Sequence, residues 1–136
     1  MQLIHSVSEL RSVITERRAK GARIGFVPTM GALHRGHLSL IDLSKKSHDV
    51  TICSIFVNPT QFNDLADFEK YPITTNQDIY QLEKNGTDVL FLPSVEEIYP
   101  GGTGNATKYE LGFLENVLEG KFRPGHFQGV CQVMHR

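Results

Sequence analysis

The run Val50-Thr-Ile-Cys-Ser-Ile-Phe-Val57 is apolar and β-branched almost throughout. A strand with one face in water alternates apolar and polar residues, whereas a continuous run of this kind has to be covered on both faces, as the strands of a parallel sheet are. Proline cannot donate to a strand ladder, so Asn58-Pro59 ends the run. Parallel strands need helices to carry the chain back across the sheet, and this one run therefore commits the chain to an α/β architecture.

The neighbouring segments agree with that architecture. Ile24-Gly-Phe-Val-Pro28 is a short apolar run, a loop rich in Gly and His follows it, and Leu38, Leu40, Ile41 and Leu43 then recur at helical spacing. Ile24 to Val57 is predicted as a βαβ unit with a right-handed crossover. Ser6 with Glu9 forms a capping box ahead of Val7, Leu10, Val13 and Ile14, a helix closed at Gly21. Thr75 with Asp78 is predicted to cap a helix carrying Ile79 and Leu82 and closed by Asn85-Gly86, and Asp88-Val-Leu-Phe-Leu-Pro93 is a third strand. Thr60 to Thr74 reads as a functional loop with short helical turns. Val95 to Tyr99 reads as a helical turn, Pro100 to Gly104 as a loop and Leu111 to Leu118 as a short helix ending at Gly120. Gln128 to Arg136 opens another helix, with Val130 and Val133 on one face, that stops without a cap or a polar tail, as though the chain were cut short. The expected fold is a Rossmann-like parallel sheet with flanking helices, and 136 residues suit one domain, 1–136.

Charge and hydropathy narrow the function. Fourteen Lys and Arg against 15 Asp and Glu give a net charge of −1, which lacks the basic footprint of a protein held to nucleic acid or anionic lipid by charge. No apolar run approaches the roughly 20 residues that cross a bilayer. The N-terminus has no basic segment followed by an apolar one, so a cytoplasmic protein is expected. Cys53 and Cys131 read as buried thiols rather than a disulfide.

Ligands of open α/β sheets lie beyond the carboxyl ends of the strands, which directs attention to the loops after Val27 and Val57. The first, Pro28-Thr-Met-Gly-Ala-Leu-His-Arg-Gly-His37, brings glycines and two histidines to the start of a helix. Free amides and the helix dipole there favour an anion. Imidazoles at i and i+3 share a face, so His34 and His37 can both reach one phosphate chain and stabilise a leaving pyrophosphate. The loop is neither a Walker A loop nor a G-x-G-x-x-G fingerprint. H-x-x-H alone also describes surface histidines, or half of a zinc site completed by His126 or Cys131, although the usual paired ligand spacing is missing.

The stretch PTMGALHRGHLSLI resembles the ATP-binding motif of the pantoate-β-alanine ligases (the pantothenate synthetase family) of the nucleotidylyltransferase superfamily. Its H-x-G-H is the relative of the HIGH motif of class I tRNA synthetases. SIFVNPTQF (Ser54 to Phe62) resembles that family's pantoate-binding strand and loop, and FEKYP (Phe68 to Pro72), LPSVEEIYP and LEGKFRPGHFQGV resemble further blocks in the family's order. The family's chains extend well beyond this length. Its F-G-E-K-D-x-Q-Q block, its S-S-R-N block and its C-terminal lid domain are not among these residues, and Ile73 stands where the family usually has arginine.

The resemblance implies an ATP-dependent condensation of pantoate with β-alanine. Pantoate attacks the α-phosphorus to give pantoyl adenylate and pyrophosphate, and β-alanine then displaces AMP to form pantothenate. ATP contacts fall on Met30, Gly31, Ala32, Leu33, His34, Arg35, Gly36 and His37, with His37 as proton donor and His34 as its phosphate-binding partner. Gln61 and Asn58 match pantoate-binding or β-alanine-binding residues, Phe56 and Val57 the adjoining wall, and Pro28, Thr29 and Arg123 are secondary candidates. An amide such as Gln61 can both donate and accept toward a hydroxy acid, but Asn58 and Gln61 after a strand also suit plain turn chemistry, and Arg123 also suits a solvated loop. No Asp or Glu is an evident metal ligand, so Mg2+ is expected on the ATP phosphates rather than on protein ligands. A homodimer is expected. A cytidylyl- or adenylyltransferase sharing H-x-G-H, and a folded chain that binds without turnover, are the competing readings. These 136 residues alone are expected to be inactive or nearly so.

Overall fold

Every residue of strand β3, Val50–Ile55, is buried, so the uninterrupted apolar run lies inside a sheet as its composition demands. The computed structural model describes residues 1–62, 64–104 and 107–136, and Leu65 in its backbone only. Strands β1 (Gln2–Ile4), β2 (Ile24–Thr29) and β4 (Val89–Phe91) join β3 in a four-stranded sheet of order β1-β4-β3-β2. All three neighbouring pairs are parallel. Ile24 lies opposite Val50 and Thr29 opposite Ile55, while Ile52, Cys53 and Ser54 face Val89, Leu90 and Phe91. Pro28 stands inside β2 because β2 is an edge strand, with one side of its backbone unpaired. The strand expected to run to Val57 ends at Ile55.

Three long helices accompany the sheet: α1 (Val7–Ala19), α2 (Arg35–Ser47) and, after the short α3 (Leu65–Glu69), α4 (Thr75–Lys84). Ser6 caps α1, its hydroxyl accepting from the Glu9 amide at 3.2 Å, which is the Ser6 half of the expected capping box. Helix α2 carries the crossover from β2 to β3, which realises the βαβ unit. It packs closely because Gly25 has no side chain: a Cβ there would strike the Ser44 hydroxyl. Ser44 in turn shares a 2.8 Å hydrogen bond with Thr51 of β3. The core joins Val27, Leu33, Ile41, Cys53, Ile55, Leu82 and Leu90, with Ile79 and Leu92 against it. Thr75 does not cap α4. The helix starts there with Thr74 before it, and Asp78 turns its carboxylate to another loop, as described below.

The described residues group into two compact units, Met1–Phe56 with Pro72–Ser94, and Val57–Tyr71 with Val95–Arg136. The first holds the sheet. The second contains a 3₁₀ turn at Pro59–Gln61, then α3, α5 (Val95–Ile98), a 3₁₀ stretch at Gly112–Asn116, α6 (Glu119–Phe122) and α7 (His126–His135). The helix expected over Leu111 to Leu118 is thus a 3₁₀ stretch, and Gly120 lies inside the next helix rather than ending one. Gly120 is buried so tightly that a Cβ would meet the Leu114 carbonyl oxygen. The helix expected from Gln128 begins at His126, after Gly125 at φ 82°. Asn63, within the loop expected from Thr60 to Thr74, lies outside the described residues. Both cysteines are free; Cys53 is buried as expected, but Cys131 is only half-buried. Among the described residues no helix is long and apolar enough to cross a membrane.

Candidate active site

The chain leaves β2 at its carboxyl end through Thr29, whose hydroxyl donates to the Ser54 carbonyl at 2.8 Å and accepts from the Gly31 amide at 3.2 Å. The turn that follows requires left-handed backbone at two successive residues, Gly31 (φ 83°) and Ala32 (φ 50°). Gly31 is suited by its freedom at positive φ and by space, since a Cβ there would sit 3.1 Å from Asp78 Oδ2 and 3.2 Å from Ile55 Cγ2. Ala32 enjoys neither freedom, and its conformation costs about 1–2 kcal/mol. The cost is offset by Asp78, a carboxylate only 1 % exposed. Its Oδ2 accepts from the Ala32 amide at 3.0 Å and its Oδ1 from the Leu33 amide at 2.9 Å. Thr74 donates a third bond, from its hydroxyl to Oδ2 at 2.9 Å. Leu33 itself is anchored in the core.

His34 then caps α2. Its Nδ1 accepts from the Gly36 amide at 3.1 Å, and His37 Nδ1 reaches back to accept from the His34 amide at 3.3 Å. The two imidazoles thereby form a reciprocal capping box of the kind usually built from Ser or Thr with Glu. A ring nitrogen that accepts carries no proton, so each ring's proton lies on Nε2 and each presents an N–H donor. Their centroids are 4.0 Å apart with the planes tilted by 35°. His37 is held below the usual histidine range, first by burial and then by its His34 neighbour, with Asp78 opposing both. His37 is accordingly a neutral donor at pH 7.

The loop amides are less available than the sequence implies. Those of Gly31, Ala32, Leu33, His34 and Gly36 donate to Thr29, Asp78, Asp78, His37 and His34 respectively. The attraction for an anion therefore comes from the two Nε2–H groups and the N-terminal end of a 13-residue helix. Around them Met30 is half-buried, while Pro28, Arg35 and Gly36 are exposed.

The second unit carries Asn58 and Gln61. Asn58 is completely buried, and its amide has no capacity left. Nδ2 donates to Gln61 Oε1 and to the Gly129 carbonyl, each at 3.1 Å. Oδ1 accepts from the Thr60 amide at 3.2 Å, the Thr60 hydroxyl at 3.0 Å and the Tyr99 hydroxyl at 3.2 Å. Only an NH2 can donate to the Gly129 carbonyl, so that contact fixes which end of the amide is which. The fixed NH2 then orients Gln61, whose Oε1 is engaged and whose Nε2 remains as a donor. Gln61 is 8 % exposed.

The remaining candidates are more ordinary. Phe56 is buried and Val57 half-buried. Arg123 lies 3.7 Å from Glu119 Oε2 and 5.3 Å from the Phe62 ring centroid. His126 donates from Nδ1 to the Gln61 carbonyl at 3.3 Å, and among the described residues no three His, Cys, Asp or Glu side chains gather as a metal site. Sequence reasoning missed Asp78 as a loop anchor, because an acid three residues after a threonine reads as a local cap. It also missed Tyr99 and Gly129 as partners of Asn58. Gly129 did leave a signal, since glycine inside a helix costs about 1 kcal/mol against alanine and asks for a packing reason.

The family profile described as pantoate-β-alanine ligase matches residues 2–136. A pantothenate synthetase of Bacteroides thetaiotaomicron is 48 % identical over 136 residues, covering 100 % of this chain and 48 % of its own. One from Xylella fastidiosa (strain M12) is 47 % identical over 133 residues, covering 98 % and 47 %. The crystal structure of pantothenate synthetase from Thermus thermophilus superposes with a TM-score of 0.87 at 42 % identity, over 100 % of this chain and 47 % of that one. That of pantoate-β-alanine ligase from Francisella tularensis, complexed with β-γ ATP and β-alanine, gives 0.88 at 47 % identity over 99 % and 51 %. The chain spans about half the length of the curated relatives it matches. The fold is thus shared across the full extent of these residues, and the chain belongs to the pantoate-β-alanine ligase family.

Proposed function

We propose that this chain supplies the ATP-binding loop and a pantoate-binding amide of an enzyme that condenses pantoate with β-alanine. The reaction runs in two steps. A pantoate carboxylate oxygen bonds to the ATP α-phosphorus as the bond to the bridging oxygen breaks, and pyrophosphate leaves with that electron pair. The β-alanine amine then attacks the acyl carbon of pantoyl adenylate, loses a proton and expels AMP. ATP enters as its magnesium complex, with the ion held mainly by phosphate oxygens, which agrees with an Asp78 carboxylate already filled by three donors.

The observation that carries this reading is the reciprocal His34–His37 cap, which leaves two Nε2–H donors side by side at a helix N-terminus. Phosphoryl transfer asks the protein mainly for positioning and charge stabilisation. In this reading His34 holds the phosphate chain and a neutral His37 donates a hydrogen bond to the leaving pyrophosphate, a stabilising contact in place of the proton transfer that an imidazolium would make. Gln61 Nε2 donates to the pantoate carboxylate or hydroxyl, and Asn58 acts by fixing Gln61. We extend the reading to a cytoplasmic homodimer, on family resemblance alone.

The test is an ATP titration of the polypeptide followed by amide and imidazole ¹⁵N shifts. Shift changes are expected to concentrate from Met30 to His37, including both Nε2 atoms, and to vanish in His37→Ala. Changes centred elsewhere, or unaltered by that substitution, overturn the assignment.

A further inference from the structure

We infer that Asp78 is a positioning residue of the nucleotide site, a buried carboxylate that shapes the loop so that His34 and His37 present their Nε2–H donors together. The inference rests on the reading of that loop as the ATP site and adds to it a residue from a different element. Asp78 belongs to α4, yet no hydrogen bond from its side chain serves its own helix except through Thr74, the residue before it. Its two oxygens take the amides of Ala32 and Leu33. Those residues are the last two before His34, so the carboxylate sets where the chain enters α2 and hence where the cap forms.

Three features show that the loop is shaped to this acid. Ala32 holds a left-handed conformation that an L side chain rarely adopts. Gly31 leaves the space a Cβ would take from Asp78 Oδ2. Both carboxylate oxygens are filled by short bonds in a site closed to water, where leaving an amide unpaired is costly. Asparagine keeps the shape of Asp78 but has one acceptor and a donor NH2. In Asp78→Asn either Ala32 or Leu33 therefore faces a donor instead of an acceptor.

The experiment compares the wild-type chain with Asp78→Asn and Thr74→Val by two readouts. Without ligand, imidazole ¹⁵N shifts report which ring nitrogen of His34 and His37 carries the proton, and hydrogen exchange reports protection of the Ala32 and Leu33 amides. With ligand, titration gives the ATP Kd at a temperature where circular dichroism shows each variant folded. Asp78→Asn is expected to lose protection at Ala32 or Leu33, to mix the imidazole tautomers and to weaken ATP by about tenfold or more. Thr74→Val, which removes one of three bonds and leaves both amides paired, is expected to shift the same signals in the same direction by less. Should Asp78→Asn fail to fold, Thr74→Val carries the test. A folded Asp78→Asn with wild-type exchange, tautomers and Kd overturns the inference, and so does a Thr74→Val that leaves all three unchanged when Asp78→Asn does not fold. A wild-type chain that shows no ATP binding would instead sink the nucleotide reading, and the positioning role is then decided by exchange and tautomers alone.

Discussion

Asn58 and Gln61 stand three residues apart in one turn and are both buried amides, but they differ in what they have left to offer. All of Asn58 is committed, to Gln61, Thr60, Tyr99 and the carbonyl of Gly129. Gln61 keeps its NH2. Asn58→Ala is therefore expected to lower folding stability by about 2 kcal/mol or more, because several buried groups lose partners at once. Gln61→Ala is expected to cost less, about 1–2 kcal/mol for the one buried Asn58 N–H left without its partner, but to weaken pantoate by about ten- to a hundredfold, with ATP nearly unaffected, as a carboxylate or hydroxyl loses one partner. Thermal melts with pantoate and ATP titrations on an active family-length chain separate the two; equal loss of both ligands in Gln61→Ala would contradict its assignment to pantoate. The pairing of these amides at the end of a buried strand was legible in the sequence. Their division of labour was not, since it depends on Gly129 and Tyr99, far along the chain. Ile73 is 82 % exposed, and nothing around it explains its departure from the family's arginine.

At the scale of elements, legibility followed the strength of the local pattern. β3 declared itself by an unbroken apolar run and α2 by apolar residues that recur at helical spacing. β1 did not, having three residues of which only Ile4 is buried, too short a stretch to display any period. The Thr75–Asp78 cap failed because a better use of the carboxylate lay across the fold, where two loop amides were waiting for it. Gly129 in α7 makes the same point quantitatively. In an exposed helix, glycine to alanine stabilises by about 1 kcal/mol. Here a Cβ would enter the Thr60 carbonyl and approach the Gln61 amide nitrogen at 2.7 Å, so the helix has to back away from the 3₁₀ turn that holds Gln61. Gly129→Ala is expected to reverse the usual sign and destabilise by about 1–3 kcal/mol. A melting temperature equal to or above that of the parent would show that α7 is not seated as described.

At the scale of the whole molecule, the proposed reading draws on donors of both compact units, each taken by itself: His34 and His37 of the first for ATP, Gln61 of the second for pantoate. Donors alone bind; catalysis needs them to gain strength as charge develops, in a site closed to water. The family's F-G-E-K-D-x-Q-Q and S-S-R-N blocks, which resemblance assigns to ATP and pantoate, are not among the 136 residues. Each missing transition-state contact is worth about 2.7–4 kcal/mol by analogy with an oxyanion donor, or about two to three powers of ten in rate. Several together remove turnover without removing the loop that binds phosphate. A polypeptide of these residues is therefore expected to bind ATP through Met30 to His37 yet to release no measurable pyrophosphate in response to pantoate. A coupled pyrophosphate assay on the purified polypeptide decides it. Pantoate-dependent release at ordinary enzyme rates of about 1–10³ per second, abolished by His37→Ala, would mean that the donors seen here suffice, and that closure over the phosphates contributes far less than the electrostatic argument requires.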